Sequence, residues 1–205
     1  MSTQTVDPYI IEVTSKAGCQ PVRLSYPHLF VAKKFSVSDP NSKPKYSATL
    51  IFDKKIHAAL IAKIKATIAL VAKNEFKGVV PPADRVCLKD GAEKVNQETG
   101  EPEIGYGPDV MFLSASTDTR PGVVDQNLVP LSEQDGKPAG GDYVYARFRL
   151  WALGGTTSKA PKEWGRRICA GLINVQFAKE GVRFGRPSES ADNGFAPVAD
   201  ENPVG

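Results

Sequence analysis

Cysteine is scarce in this 205-residue chain: Cys19, Cys87 and Cys169 are the only three, and they lie far apart. An odd count without a CxxC pair argues against a disulfide framework or a zinc site and fits a reducing compartment. Long apolar runs are missing as well. No stretch of about 18 apolar residues occurs, so no transmembrane helix and no membrane partner are expected. Residues 1–8 are polar and lack the basic-then-apolar pattern of a secretory signal. Histidine is limited to His28, beside Pro27, and His57. No HExxH, GxSxG, P-loop or GxGxxG pattern is present. Asp53, Asp109, Asp118, Asp125 and Asp142 fall at element edges, where caps and turns use aspartate, rather than in the cluster a two-metal nuclease needs. An enzyme is therefore not expected, and neither a metal nor a cofactor.

The composition is that of one globular domain, with 41% hydrophobic and 24% charged residues. Its net charge of +3 hides a split. The segment Ser188–Gly205 holds Glu189, Asp192, Asp200 and Glu201 and no Lys or Arg. Setting those four aside leaves 19 acids against 26 Lys and Arg, a balance of +7 for residues 1–187. Three units are expected: an arm or irregular first strand at 1–20, a folded domain at 21–187, and a disordered acidic tail at 188–205. A basic body with an acidic tail suits a protein that binds a polyanion and whose tail competes for the same groove.

Alternation of apolar and polar residues predicts a mainly β chain. Strand-like runs appear at 22–35, broken by Pro27, at 46–52, 110–116, 123–129, 143–152 and 167–177. One helix is predicted over about 54–73, with Asp53 as N-cap. Ile56, Leu60, Ile61, Ile64, Ile68 and Val71 would form its apolar stripe, with His57 among them as a core histidine. Pro81-Pro82 ends it, residues 77–108 are rich in Gly, Pro, Asp, Glu and Lys, and Asn96–Gly105 reads as an exposed loop. The expected architecture is an OB-fold-like five-stranded barrel with extra strands and loops, its helix between the third and fourth strands.

The strand at 143–151 carries the most chemistry. Val144, Ala146, Phe148 and Leu150 make one apolar face, while Tyr143, Tyr145, Arg147, Arg149 and Trp151 make the other. Three rings and two guanidinium groups on one face suit single-stranded nucleic acid, because rings stack on bases and arginines meet phosphates. The same pattern also fits a half-buried barrel strand whose arginines pair with acids. Further candidates are Lys33 and Lys34 between Phe30 and Phe35, Lys45 with Tyr46, Arg166 and Arg167 after Trp164, and Lys179. Arg183 and Arg186 close the folded part. The helix lysines 54, 55, 63, 65 and 73 read as solubilising charges.

Several runs occur in a recognisable order. They are Leu24-Ser25-Tyr26-Pro27-His28-Leu29-Phe30, the block 46–54, the segment 112–117 with 120–125, Gly141-Asp142-Tyr143-Val144-Tyr145-Ala146, and 170–177. Together, over about residues 22–187, they resemble a family of bacteriophage single-stranded DNA-binding proteins. That resemblance implies an OB-fold barrel that coats ssDNA without sequence preference during phage replication and recombination, in the host bacterial cytoplasm. It also implies an acidic tail that contacts replication proteins, and it allows self-association on DNA, RNA as a ligand, or weaker duplex binding. The tail departs from the pattern: it is sparse in acids, its one aromatic is the internal Phe195, and it ends Pro203-Val204-Gly205. The alternative reading is a structural or interaction protein of a replisome or virion that uses the aromatic strand as a protein interface.

Overall fold

The longest alternating runs become the longest strands. The computed structural model describes residues 7–34, 42–156 and 165–184. Phe35, Trp164, Arg186 and the tail 188–205, on which parts of the sequence reading fell, lie outside them. Among the described residues there are eight strands and one α-helix. They are β1 (Ile10–Val13), β2 (Val22–Lys33), β3 (Lys45–Asp53), α1 (Ala58–Glu75), β4 (Leu88–Asp90), β5 (Val110–Thr117), β6 (Gly122–Val124), β7 (Tyr143–Leu153) and β8 (Arg167–Lys179).

Five of these strands close on themselves. β2 pairs antiparallel with β3, β3 with β5, β5 in parallel with β8, β8 antiparallel with β7, and β7 again with β2. The ring is uneven: β7 and β8 pair along nearly their whole lengths, whereas β5–β8 and β2–β7 are joined by two residue pairs each. This is a mainly β, OB-like ring rather than an even barrel. β1 extends it beside β7, β6 beside β8, and β4 beside β5.

The ring interior is filled from one parity of each strand. Leu24 of β2, Ala48, Leu50 and Phe52 of β3, Leu113 and Ala115 of β5, Val144, Ala146, Phe148 and Leu150 of β7, and Ala170 and Leu172 of β8 are at most 4% exposed. Period-two alternation is what a sheet with one buried face requires.

The helix differs from expectation in place and in start. It follows the second ring strand rather than the third, and packs across β7, β1 and β8. It begins at Ala58, because residues 54–57 form a turn that Asp53 caps: its Oδ1 accepts from the amides of Lys55 and Ile56, each at 2.8 Å. Those two bonds, Ile56's foremost, hold the Asp53 carboxyl below its usual range. Ile56 thereby leaves the apolar stripe and is 64% exposed, while Leu60, Ile61, Ile64, Ile68 and Val71 are buried as the spacing predicts. His57 is buried, and its Nδ1 accepts from the Asp53 amide at 3.0 Å.

The polar stretch 77–108 contains β4 and short 3₁₀ turns, all of them before the loop expected at 96–105. Lys54 anchors it: its Nζ lies 2.7 Å from Asp90 Oδ2 and donates to the Pro108 carbonyl at 2.6 Å. Lys54, expected as a solubilising helix charge, is a tether in the turn before the helix.

Candidate nucleic-acid interface

The outward parity of β2, β3 and β5 forms the floor of a groove. Cross-strand neighbours share a face, and here the register sets Ser25 beside Thr49 and Thr49 beside Ser114. The next rank is His28, Ser47 and Ser116. Thr49 Oγ1 and Ser114 Oγ hydrogen-bond at 2.9 Å. The floor is thus made of short hydroxyl side chains that leave room above them. The groove encloses about 940 Å³.

Its walls are basic and aromatic. Lys33, Lys34, Arg85, Lys89, Lys94 and Arg167 line it, against Asp84 and Glu93 alone among acids of the described residues. Arg85 lies 4.0 Å from Asp84, and Lys94 lies 3.1 Å from Glu103. Among the described residues no carboxylate lies within ion-pair distance of Lys33, Lys34, Lys89 or Arg167. Among the described residues these four cations therefore face the groove outside any ion pair. Burial, with help from Lys33, lowers the pKa of His28, which favours its neutral form on the floor.

Tyr26 stands at one lip. It has φ +45 and is 52% exposed, at a register shift between Ser25 and His28. A non-glycine residue in this region stores about 1–3 kcal/mol of strain, a cost met most often at functional positions. The ring is held in place: its hydroxyl donates to Glu103 Oε2 at 2.5 Å, and Lys94 Nζ lies 5.4 Å from the ring centroid. The bond to Glu103, reinforced by burial, raises the Tyr26 pKa to about 12, so the phenol stays protonated. Burial pushes the Glu103 carboxyl up, but the bonds from Tyr26 and Lys94 outweigh it and the net shift is down. Tyr106 and Phe112 stand edge to face at 5.3 Å behind this lip.

The twelve residues expected at the site divide between surfaces. Lys33, Lys34 and Arg167 line the groove. Lys45 pairs with Asp118 at 3.3 Å, next to Tyr46, which pairs with Thr117 at the end of β3. Arg166 lies over the Phe76 ring at 5.5 Å. On β7 the outward parity is as read. Arg147 Nε bonds Glu12 at 2.9 Å and Arg149 Nε bonds Asp7 at 2.6 Å, so β1 and the segment before it each supply one acid. Tyr143 sits between Arg23 and Lys179, whose cationic groups are 5.7 and 4.8 Å from its ring. Tyr145 lines a smaller cleft of about 290 Å³ with Gln126, Gln176 and Lys179. Trp151 is 36% exposed on the outer surface.

The sequence reading did not single out Tyr26, His28, Arg85, Lys89, Lys94, Tyr106 or Phe112 for the site. Parity in 46–52 and 112–116 puts Ser47, Thr49 and Ser114 on one face, so the floor was within reach. The cations of 85–94 were not, because no periodicity says where an irregular segment folds back. Cys87 and Cys169 line the groove with raised thiol pKa values, Cys87's pushed by burial up to about 12, so both stay protonated.

Several solved and curated proteins similar to this chain come from phages. A solved structure of the single-stranded DNA-binding protein from bacteriophage Enc34 in complex with ssDNA is 30% identical, covering 82% of this chain and 88% of that one with a TM-score of 0.64. A second structure of the single-stranded DNA-binding protein from bacteriophage Enc34 gives 29% identity, covering 82% of this chain and 83% of that one, and a TM-score of 0.63. Protein p50 of Acyrthosiphon pisum secondary endosymbiont phage 1 is 31% identical over 172 residues, 80% of this chain and 83% of its own length. The family model described as Enterobacter phage Enc34, ssDNA-binding protein matches residues 15–204. With nearly the whole chain matched by that model, and the same fold beneath it, this protein belongs to the Enc34 family of phage ssDNA-binding proteins.

Proposed function

We propose that this protein coats single-stranded DNA without sequence preference during phage DNA replication and recombination, in the cytoplasm of the infected host. The observation that carries the reading is the groove itself. Four cations in no ion pair among the described residues flank a floor of small hydroxyls, and aromatic rings stand at one end. Phosphates would be met by Lys33, Lys34, Lys89 and Arg167. Bases would stack on Tyr26 at the lip. Neither contact reads base edges, because every base has a π-face and every nucleotide a phosphate. Membership of a family whose studied member forms a complex with ssDNA supports the same ligand. The acids of the tail 188–205 would compete with DNA for these cations, and the same tail would offer a contact for replication proteins.

The test is the salt dependence of binding. Each phosphate neutralised on a single strand contributes about −0.7 to the slope of log K against log salt. Replacing Lys33, Lys34 and Arg167 together by alanine is expected to weaken binding to oligo-dT and flatten the slope by about 2. An unchanged slope would move the phosphate contacts off this groove.

A further inference from the structure

We propose that the nucleic-acid path does not end at the groove but crosses β8 over Gly171 and continues to Trp151 on the outer face of β7. This rests on the groove reading and adds a second stacking position to it. The register carries the argument. Ser116 of β5 lies beside Gly171 of β8, and Gly171 lies opposite Arg149 of β7. One step along, Cys169 lies opposite Trp151. Neighbours in register share a face, and Cys169 lines the groove. Trp151 is therefore on the same continuous outer surface, about two strand spacings, or roughly 10 Å, from β5.

Gly171 makes that surface passable. Any other residue there would raise a side chain between the groove and the tryptophan. A Cβ at Gly171 would meet the Trp151 ring at 3.8 Å, and the Arg149 carbonyl at 3.7 Å, which are ordinary contacts. Its φ is not in the left-handed region, so neither backbone conformation nor packing demands glycine here. Beyond it stand a half-exposed indole and Arg149, whose guanidinium is held between Asp7 and the Tyr9 ring. The aromatic residue is positioned while the arginine is already partnered, so the extension would act through stacking more than through charge.

The experiment compares short and long strands. The groove is to be filled by oligo-dT of about 5 nucleotides, and groove plus extension by oligo-dT of about 15, within the range of known OB-fold site sizes of about 4–16. Trp151→Ala removes the platform, and Gly171→Leu blocks the path. Each is expected to weaken the long strand about 5- to 150-fold, the loss of one stacked base, and to leave the short strand unchanged. Trp151 and Trp164 are the only tryptophans, so in a Trp164→Phe background the long strand should quench the remaining fluorescence and the short one should not. Unchanged long-strand affinity in both variants would overturn the extension while leaving the groove intact. Equal losses for both lengths would overturn it too, by making Trp151 part of the fold or of the groove. Wild-type protein that binds neither strand would contradict the groove reading itself.

Discussion

Tyr26 shows what a single residue contributes. Its strained backbone turns the ring out of line with β2, and Glu103 and Lys94 fix it at the lip. Tyr26→Ala is expected to cost about 1–3 kcal/mol of ssDNA affinity, measured by fluorescence titration, because one stacked base is lost. His28 gives a pH dependence at the same scale. Burial and Lys33 hold its pKa below 6.5 in the free protein. A polyanion in the groove favours the charged form, so binding takes up a proton and affinity rises as pH falls through and below that value. His28→Gln should flatten the profile. Stability runs the other way: the unfolded chain binds the proton more readily, so the folded state loses stability as pH falls below 6.5. The neighbour of Tyr26 in sequence, Pro27, marked a break in the strand, but nothing in the residue order said that the break would aim a ring at Lys94, about 70 residues later.

β7 is where sequence and structure agree most closely, because a strand with one buried face leaves its period in the residue order. Phe148 and Arg149 are adjacent, yet they belong to different environments: Phe148 is 0% exposed inside the ring, and Arg149 lies outside against Asp7. Phe148→Ala is expected to destabilise by about 3–5 kcal/mol. Arg149→Ala is expected to cost about 0–1 kcal/mol, since its side chain is 45% and that of Asp7 33% exposed and solvent screens the pair. Denaturant melts of the two variants check both values. The Asp7 carboxyl is held below its ordinary 3.8, chiefly by the Arg149 hydrogen bond. Its small contribution is therefore present above that pH and lost as pH falls through the lowered value. What β7 did not reveal was its neighbour. β1 is four residues long, too short for a period to stand out, and it is β1 with the segment before it that brings Glu12 and Asp7 to the arginines. The helix shows a similar division: its apolar stripe was legible, but its first turn was not, because Asp53 and His57 cap residues 54–57 as a separate turn.

At the scale of the molecule, charge is organised by the fold rather than by the residue order. The balance of +7 for residues 1–187 becomes a functional statement only where β2, β8 and the segment 85–94 converge on one groove. The longer strands were legible because hydrophobic period is local; the groove was not, because its walls come from segments far apart in sequence. Deleting Ser188–Gly205 removes four acids and no cation. It is expected to tighten ssDNA binding at low salt, with the difference shrinking as salt screens both competitors. Equal affinity with and without those residues, measured at low salt, would show that they never compete for the groove. The central claim is preference for single strands, and one measurement bears on it most directly. Fluorescence anisotropy with labelled oligo-dT, a mixed-sequence strand and its duplex, each at two salt concentrations, should show similar, salt-sensitive binding to both single strands and weaker binding to the duplex. No binding to either single strand at low salt would contradict the account and leave the family's fold without its ligand in this protein.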